Sequence, residues 1–519
     1  MLHGCLVILF LVASISSGIG DYRPITNNID DTELLIICPD RFINHISPLV
    51  EWKHKKGIVT TLVPLSTIGE KPEEIKEFIR HFYYYTSETR LKYLLLIGDI
   101  EELPPYPHPT LGNTDASYGD VNGDTLIEIG VGRLPARNTG QLLTMITRIF
   151  NYERRPKIID IDTMFYKKAT TIRQDPGPYH NAGCYFVRDM ILANSDFVSV
   201  DTFVNPMHTK NDVRDSLKAG RSYVLYTGHG AGTNWVYPFD LSPYFNNAYR
   251  TPVIFSWCCR TVLGKNYLGQ RWLRPGNLKR PRGAVAFIGT TTAGLYARYR
   301  NFVARNFFRA IFQYQTLDIS AALKQGLDSL WQYSPDSFGH VLYQEWNLIG
   351  DPTLQLWSRV PQKMICEHDT IINNQRQVFE LRVKNLYGEP IPGALVCLST
   401  IDDRTFYYRG HTNHLGVITF EINPQGLEAF DITVSASNYL PYENRCRIIE
   451  RFIINETSNE FLKRYNIPNE TEFFIIDVQG RVIVNSGAYS SNYKLRPGIY
   501  YLYEKVPKAK IAKKLILLK

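Results

Sequence analysis

Residues 223–230 read Tyr-Val-Leu-Tyr-Thr-Gly-His-Gly, and residues 252–259 read Pro-Val-Ile-Phe-Ser-Trp-Cys-Cys. Each begins as a short apolar run, rich in β-branched and aromatic residues, of the length of one buried strand. The first run ends in a turn flanked by Gly228 and Gly230; the second ends in two adjacent cysteines. In an open α/β sheet, reactive side chains gather where strands end at the carboxyl edge. If these two strands are parallel neighbours, His229 meets a cysteine at one rim. That is the arrangement a thiol nucleophile and its base require. The residues alone do not choose between Cys258 and Cys259.

Outward from this pair, the pattern alternates strand and helix. Leu34–Cys38 reads as a buried strand, and Phe42, Ile43, Ile46, Leu49 and Val50 mark one face of a helix. Ile58–Val63, Tyr93–Ile97 and Ile127–Val131 are further strands, and Pro72 opens a second helix. Such an order implies right-handed crossovers and a parallel sheet. A first α/β subdomain is expected over 21–152 and a second over 153–358, with strands at 169–172, 197–200, 223–226, 253–257 and 284–288. No GxGxxG or GxxxxGK[ST] follows any strand, which sets nucleotide binding aside. After 359 the helices stop and alternating strands take over, suggesting an immunoglobulin-like β-sandwich over 359–450. A last β module covers 451–519.

The chain has 519 residues, a net charge of +8 and 13% aromatic residues. These values suit several packed domains. The basic residues form no nucleic-acid motif, so nucleic acid is not an expected partner. Residues 1–20 carry the apolar run Leu6–Ala13, too short to span a bilayer as an ordinary helix, then small residues; they read as a signal peptide of a secreted or cell-surface protein. The eight cysteines are too scattered for a disulfide scaffold. Cys38 reads as a core residue, and two of Cys366, Cys397 and Cys446 could pair. Asp120, Asn122, Asp124 and Glu128 place oxygen ligands at alternate positions, like a calcium loop. A structural calcium ion is one expectation there; a solvated turn is the more ordinary one. No cofactor is otherwise required.

The motifs around the two strands resemble the gingipain family of cysteine peptidases, relatives of the caspases. The resemblance rests on Tyr-Thr-Gly-His-Gly followed by Trp235, on Pro-Val-Ile-Phe-Ser-x-x-Cys, and on Gly283–Gly289 and Asn347–Thr353. Leu94–Asp99 and Val131–Pro135 extend it upstream, so that it covers roughly residues 30–358. It implies an α/β fold: a caspase/gingipain-like parallel-sheet catalytic domain in two subdomains, then the all-β immunoglobulin-like sandwich and the C-terminal β module. The C-terminal stretch resembles the sorting domains of type IX secretion cargo, which implies secretion machinery or cell-surface attachment as partners.

The resemblance also implies roles. Its register makes Cys259 the nucleophile of a cysteine endopeptidase, with His229 as base and protein or peptide substrates. The backbone N–H groups of Gly230 and Cys259 form the oxyanion hole, and Asp175 lies nearest the place of an acid that orients the histidine. Trp235 and Trp257, flanking the reactive edge, are candidates to wall a substrate cleft. Two departures stand out. The segment Ala182–Tyr185, aligned with the acidic specificity pocket of gingipains that cut after basic residues, has no carboxylate, and Asp189 is the nearest one. Val262 stands where the family usually has glycine. With the twinned cysteines, it supports an alternative: a catalytically silent surface-binding or maturation protein on the same fold.

Overall fold

The computed structural model describes residues 31–85, 91–174, 176–194, 196–237, 246–294, 297–334, 337–400 and 406–449, and four strands beyond them. The expected signal segment, Asp175 and most of 451–519 lie outside the described residues. The chain divides into two compact units, one of residues 1–366, 382–418 and 433–443, the other of residues 367–381, 419–432 and 444–519.

The first unit is built on a ten-stranded sheet. Its strands are β1 (Leu34–Cys38), β2 (Thr60–Pro64), β3 (Tyr93–Ile97), β4 (Gly130–Leu134), β5 (Lys168–Arg173), β6 (Ser199–Val204), β7 (Tyr223–Thr227), β8 (Val253–Trp257), β9 (Ala286–Thr290) and β10 (Trp346–Ile349). Across the sheet they run β2-β1-β3-β4-β10-β9-β8-β7-β5-β6. From β2 to β10 every pairing is parallel. From β9 to β6 every pairing is parallel as well. The seam between the halves is antiparallel, with Phe287 opposite Ile349 and Thr290 opposite Trp346. Two parallel half-sheets of opposite direction are thus fused into one.

The seam strand β10 was not foreseen as a strand. Four residues, Trp-Asn-Leu-Ile, are too few to show a period. The fourth strand also sits further along than the apolar run 127–131 suggests. Gly130 and Gly132 look like strand breakers, yet a side chain at Gly132 would meet the Gly350 carbonyl at 2.4 Å and Pro352 at 2.8 Å. Glycine here permits the close approach of the chain leaving β10.

Both faces of the sheet are covered, so β1, β2, β7, β8 and β9 are wholly buried, while the edge strand β6 is half-buried over its first four residues. In β1 the two-residue period sends Leu34, Ile36 and Cys38 into one cluster, with Ile43, Ile46 and Leu49 of α1 (Ile43–Lys55). Leu35 and Ile37 enter another, with Ile75, Ile79 and Phe82 of α2 (Pro72–Tyr85). Each such side chain contributes about 1.5–3 kcal/mol by leaving water.

One buried knot of charge ties α1 to the later chain. Lys53 pairs with Glu153 and lies 2.7 Å from Asp351, all three side chains being 0–1% exposed. Lys56 Nζ donates to Glu153 Oε2 at 3.0 Å and Trp52 Nε1 to Glu153 Oε1 at 2.7 Å. Burial pushes the Glu153 carboxyl up, but the two ammonium groups outweigh it and hold it at about 2.

Among the described residues from Met364 to Ile449 every element is a strand, the all-β immunoglobulin-like part of the chain. Within the first unit, Leu395–Ser399 pairs antiparallel with Tyr407–His411, and Tyr407 stacks on His54 at 4.4 Å. Within the second, Ile371–Asn373 pairs in parallel with residues 447–449. The C-terminal β module is an antiparallel sheet in the order Val482–Asn485, Phe473–Asp477, Gly498–Glu504, Ile511–Leu517. Cys366, Cys397 and Cys446 are free thiols, so the pairing envisaged among them is not formed. Among the described residues, no helix is long and apolar enough to cross a membrane.

The charge knot yields a measurable expectation. Glu153→Gln should cost about 3–5 kcal/mol in chemical denaturation, because it leaves two buried cations short of a partner. The folded carboxyl lies below its ordinary 4.5, so its contribution is full above that value and is lost as pH falls toward about 2. The variant should therefore lose less stability than the parent over that acid range. A loss under about 1 kcal/mol would remove the knot from the interactions that hold this unit together.

Candidate active site

The paired strands β7 and β8 are in register from Tyr223↔Val253 to Thr227↔Trp257. His229 and Cys259 each follow two residues after that last pair, so they leave the sheet at the same height and on the same rim. The Gly228 N–H donates to the Trp257 carbonyl at 3.3 Å, which carries the pairing one step past the strand end.

The histidine loop is braced through its backbone. The His229 N–H donates to Gln174 Oε1 at 3.0 Å. Its carbonyl accepts from the Tyr226 hydroxyl at 2.8 Å and from the Val236 N–H at 3.0 Å. Gly228, at φ +154°, leaves no room for a side chain: a Cβ would lie 2.6 Å from Gln174 Cβ and 2.8 Å from the Tyr226 hydroxyl.

The cysteine turn is held from the other side. Arg260, just after Cys259, has φ +49°, a left-handed conformation that costs a non-glycine residue about 1–2 kcal/mol. Three hydrogen bonds to the end of β9 offset it. Arg260 N–H donates to Thr292 O at 3.0 Å, Thr261 N–H to Thr290 O at 2.9 Å, and the Thr290 hydroxyl to Cys258 O at 2.5 Å.

The two cysteines have different surroundings. Cys258 is fully buried, 3.2 Å from Ser256 Oγ, and burial pushes its thiol up to about 12. A thiol so placed stays protonated and unreactive. Cys259 is half-buried and borders a cavity of about 230 Å³ that His229 also lines. The guanidinium of Arg300 donates to its sulfur at 3.4 Å. Tyr179 and His180, at the start of α3 (Pro178–Ala193), form the facing wall. Nothing in the sequence marks Arg300, His180 or Gln174 as part of this place. They are brought in by tertiary packing, each residue lying more than forty positions along the chain from either motif.

Trp257 and Trp235 part company. Trp257 lines the cavity and stacks on His180 at 5.0 Å, and its indole packs so closely on Gly183 of α3 that a Cβ there would come within 2.3 Å. Trp235 does not wall the cleft: it is 0% exposed, stacked on Tyr226 at 4.5 Å, with its indole N–H on Ser256 Oγ at 2.9 Å. It belongs to the packing that supports both loops. Val262 is buried as well and fills the space left by Gly269 and Gly289, where added Cβ atoms would meet it at 2.8 and 3.0 Å. The extra bulk goes into the core and does not enter the cleft.

Gly230 lies against the cysteine turn, where a Cβ would come 2.4 Å from the Cys259 carbonyl and 2.8 Å from Cys258 Sγ. Its smallness lets the two loops touch. Asp189 points to solvent, 62% exposed and paired with Arg188 at 2.6 Å. Among the described residues lining the cavity there is no carboxylate.

The acidic loop is engaged by its own backbone. Asp120 accepts from Gly123 at 2.7 Å and Thr125 at 3.2 Å, Glu128 from Val121 at 3.0 Å, and Asp124 from Leu126 at 3.0 Å. Asn122 Oδ1 accepts from the Tyr84 hydroxyl at 2.6 Å. Among the described residues, no group of three or more His, Cys, Asp or Glu side chains could hold a metal ion.

The sequence pattern of Peptidase family C25 matches residues 28–357. Gingipain R2 of Porphyromonas gingivalis (strain ATCC BAA-308 / W83) is 23% identical over 390 residues, covering 69% of this chain and 50% of that protein. Lys-gingipain W83 of the same species is 20% identical, covering 82% of this chain and 26% of its own length. The chain thus spans about half, or less, of the curated relatives it matches. The crystal structure of the Arg specific cysteine proteinase gingipain R superposes with a TM-score of 0.72 at 21% identity, over 82% of this chain and all of that one. At that identity the likeness establishes the fold.

Because Gly230 meets backbone rather than a flexible side chain, Gly230→Ala should displace the cysteine turn. Alkylation of Cys259 by iodoacetamide should slow at least about tenfold, with a stability loss of about 1–3 kcal/mol. Unchanged alkylation and stability would show that the two loops are not in contact.

Proposed function

The chain belongs to Peptidase family C25, and on that premise we propose that it is a secreted cysteine endopeptidase whose nucleophile is Cys259 and whose base is His229. The observation that carries this reading is the shared cavity. A half-buried sulfur and an imidazole border one cleft at the ends of two strands in register, while the neighbouring thiol is walled into the core.

The chemistry follows from those positions. His229 takes the thiol proton, and the thiolate attacks the carbonyl carbon of the scissile bond. The negative charge moves to the carbonyl oxygen, where the N–H groups of Gly230 and Cys259 are the proposed donors. The imidazolium then gives its proton to the leaving nitrogen, the C–N bond breaks, and a thioester remains. Water attacks the thioester as His229 takes its proton, releasing the carboxylic acid and restoring the thiol. Asp175 remains a candidate to orient the imidazole.

The names of the relatives speak of Arg- and Lys-directed peptidases, but that preference does not carry over. A buried cation at the P1 position needs an anion, and the described residues lining the cleft offer Tyr179, Trp257 and two histidines instead. An uncharged P1 side chain suits this lining. The type IX-like C-terminal module is proposed to deliver the protein to the secretion machinery or the cell surface.

Cys259→Ala should abolish hydrolysis of a denatured protein mixture, and His229→Ala should lower it by about 10²–10⁴-fold. Cys258→Ala should keep activity within about threefold. Activity that survives Cys259→Ala and vanishes with Cys258→Ala would overturn the assignment, and inertness of the parent protein would favour a silent binder. Mapped by mass spectrometry, the cleavage sites of the active protein should follow mainly uncharged residues. A majority of Arg or Lys at P1 would contradict the cleft chemistry.

A further inference from the structure

The helix α4 (Ala297–Phe312) carries Arg300 in its first turn. A cation there opposes the helix macrodipole, and this residue is only 3% exposed. Neither the helix nor the solvent accounts for its position. Its guanidinium is clamped along one edge: Nε and Nη2 donate to Glu345 at 3.1 and 2.8 Å. Nη2 also reaches the Thr292 hydroxyl at 3.1 Å, and that hydroxyl donates in turn to Glu345. The opposite edge presents Nη1 to Cys259 Sγ at 3.4 Å.

We propose that Arg300, anchored by the buried carboxylate of Glu345, is the donor that holds the Cys259 sulfur as a thiolate, a task separate from the proton transfer assigned to His229. This rests on reading Cys259 as the reactive thiol. A hydrogen bond from a permanently charged donor favours the charged form of its acceptor. Arginine suits this task because it does not give up its proton. Burial works against the guanidinium charge, but Glu345 and the sulfur outweigh it, so the group stays ionised. The polar groups that border the same cavity are few: His229 from the loop after β7, Tyr179 and His180 from the start of α3, and Arg300 from α4, with the Gly294 carbonyl 3.9 Å from the sulfur. Glu345 binds the guanidinium edge turned away from the sulfur. Cys258 stays neutral in the core. The thiol proton leaves to His229 or to solvent water, and no other reactant is involved. Glu345 is then a positioning residue, acting through Arg300.

The test is the rate of Cys259 alkylation by iodoacetamide in the full chain, from about pH 4 to about pH 10, followed on the Cys259 peptide by mass spectrometry. Arg300→Met should move the midpoint of the profile at least about one unit toward higher pH, which is about tenfold less thiolate at a pH below both midpoints. Arg300→Lys should recover part of that shift. An unchanged midpoint in both variants, with only the melting temperature lowered, would reduce Arg300 to a structural role and overturn the proposal. If Arg300→Met does not fold, Arg300→Lys decides alone, and a parental midpoint there overturns it. Peptide hydrolysis measured on the same samples separates the two readings. A shifted midpoint without hydrolysis in the parent defeats the peptidase reading and leaves the thiolate donor standing.

Discussion

The register of two parallel strands governs the reactive rim. Thr227 lies opposite Trp257, and each chain then runs two residues further to the histidine and to the cysteine. A one-residue slip would turn every side chain of a strand to the other face. It would also offset the two loops along the strand direction by about 3.3 Å, enough to break any sulfur–imidazole hydrogen bond. The bracing around the loops works against that slip. Gln174 binds the backbone of His229, the end of β9 binds the cysteine turn, and Gly230 lets the two loops touch.

The parts legible in the sequence are those with short-range signals. The run 223–226 ahead of Gly228, and the run 253–257 ahead of the cysteines, announce strands by composition alone, and the family resemblance orders them. The helical periods of 43–50 and 72–82 hold as well. What escaped is long-range. β10 is four residues of seam whose partners lie more than fifty residues upstream. Arg300 sits in an amphipathic helix where nothing distinguishes it from a solvated arginine until the helix is docked. Trp235 was ambiguous for the opposite reason, since an aromatic residue beside a reactive strand suits a cleft and a core equally. Burial against Tyr226 resolves it.

Charge in the interior follows one pattern at three places. Lys53 and Lys56 share Glu153, Arg133 grips Asp115 through two hydrogen bonds of 2.6 and 2.7 Å, and Arg300 is locked on Glu345. Each cation is almost fully buried and each has its carboxylate, as low dielectric demands. Of these cations, Arg300 alone also turns an N–H toward the Cys259 sulfur.

The antiparallel seam has a consequence for how the molecule could be controlled. Since the halves run in opposite senses, the loops that follow β1, β3 and β4 open on the far side of the sheet from the thiol, about 17 Å away by strand length alone. A molecule captured there would never touch a peptide in the cleft. Two routes lead from there toward the cysteine turn: the four residue pairs of the β9–β10 junction, and the ion pairs of Asp99 with Arg274 at 2.6 Å and of Glu101 with Lys265 at 3.2 Å, on the segment that follows Cys259.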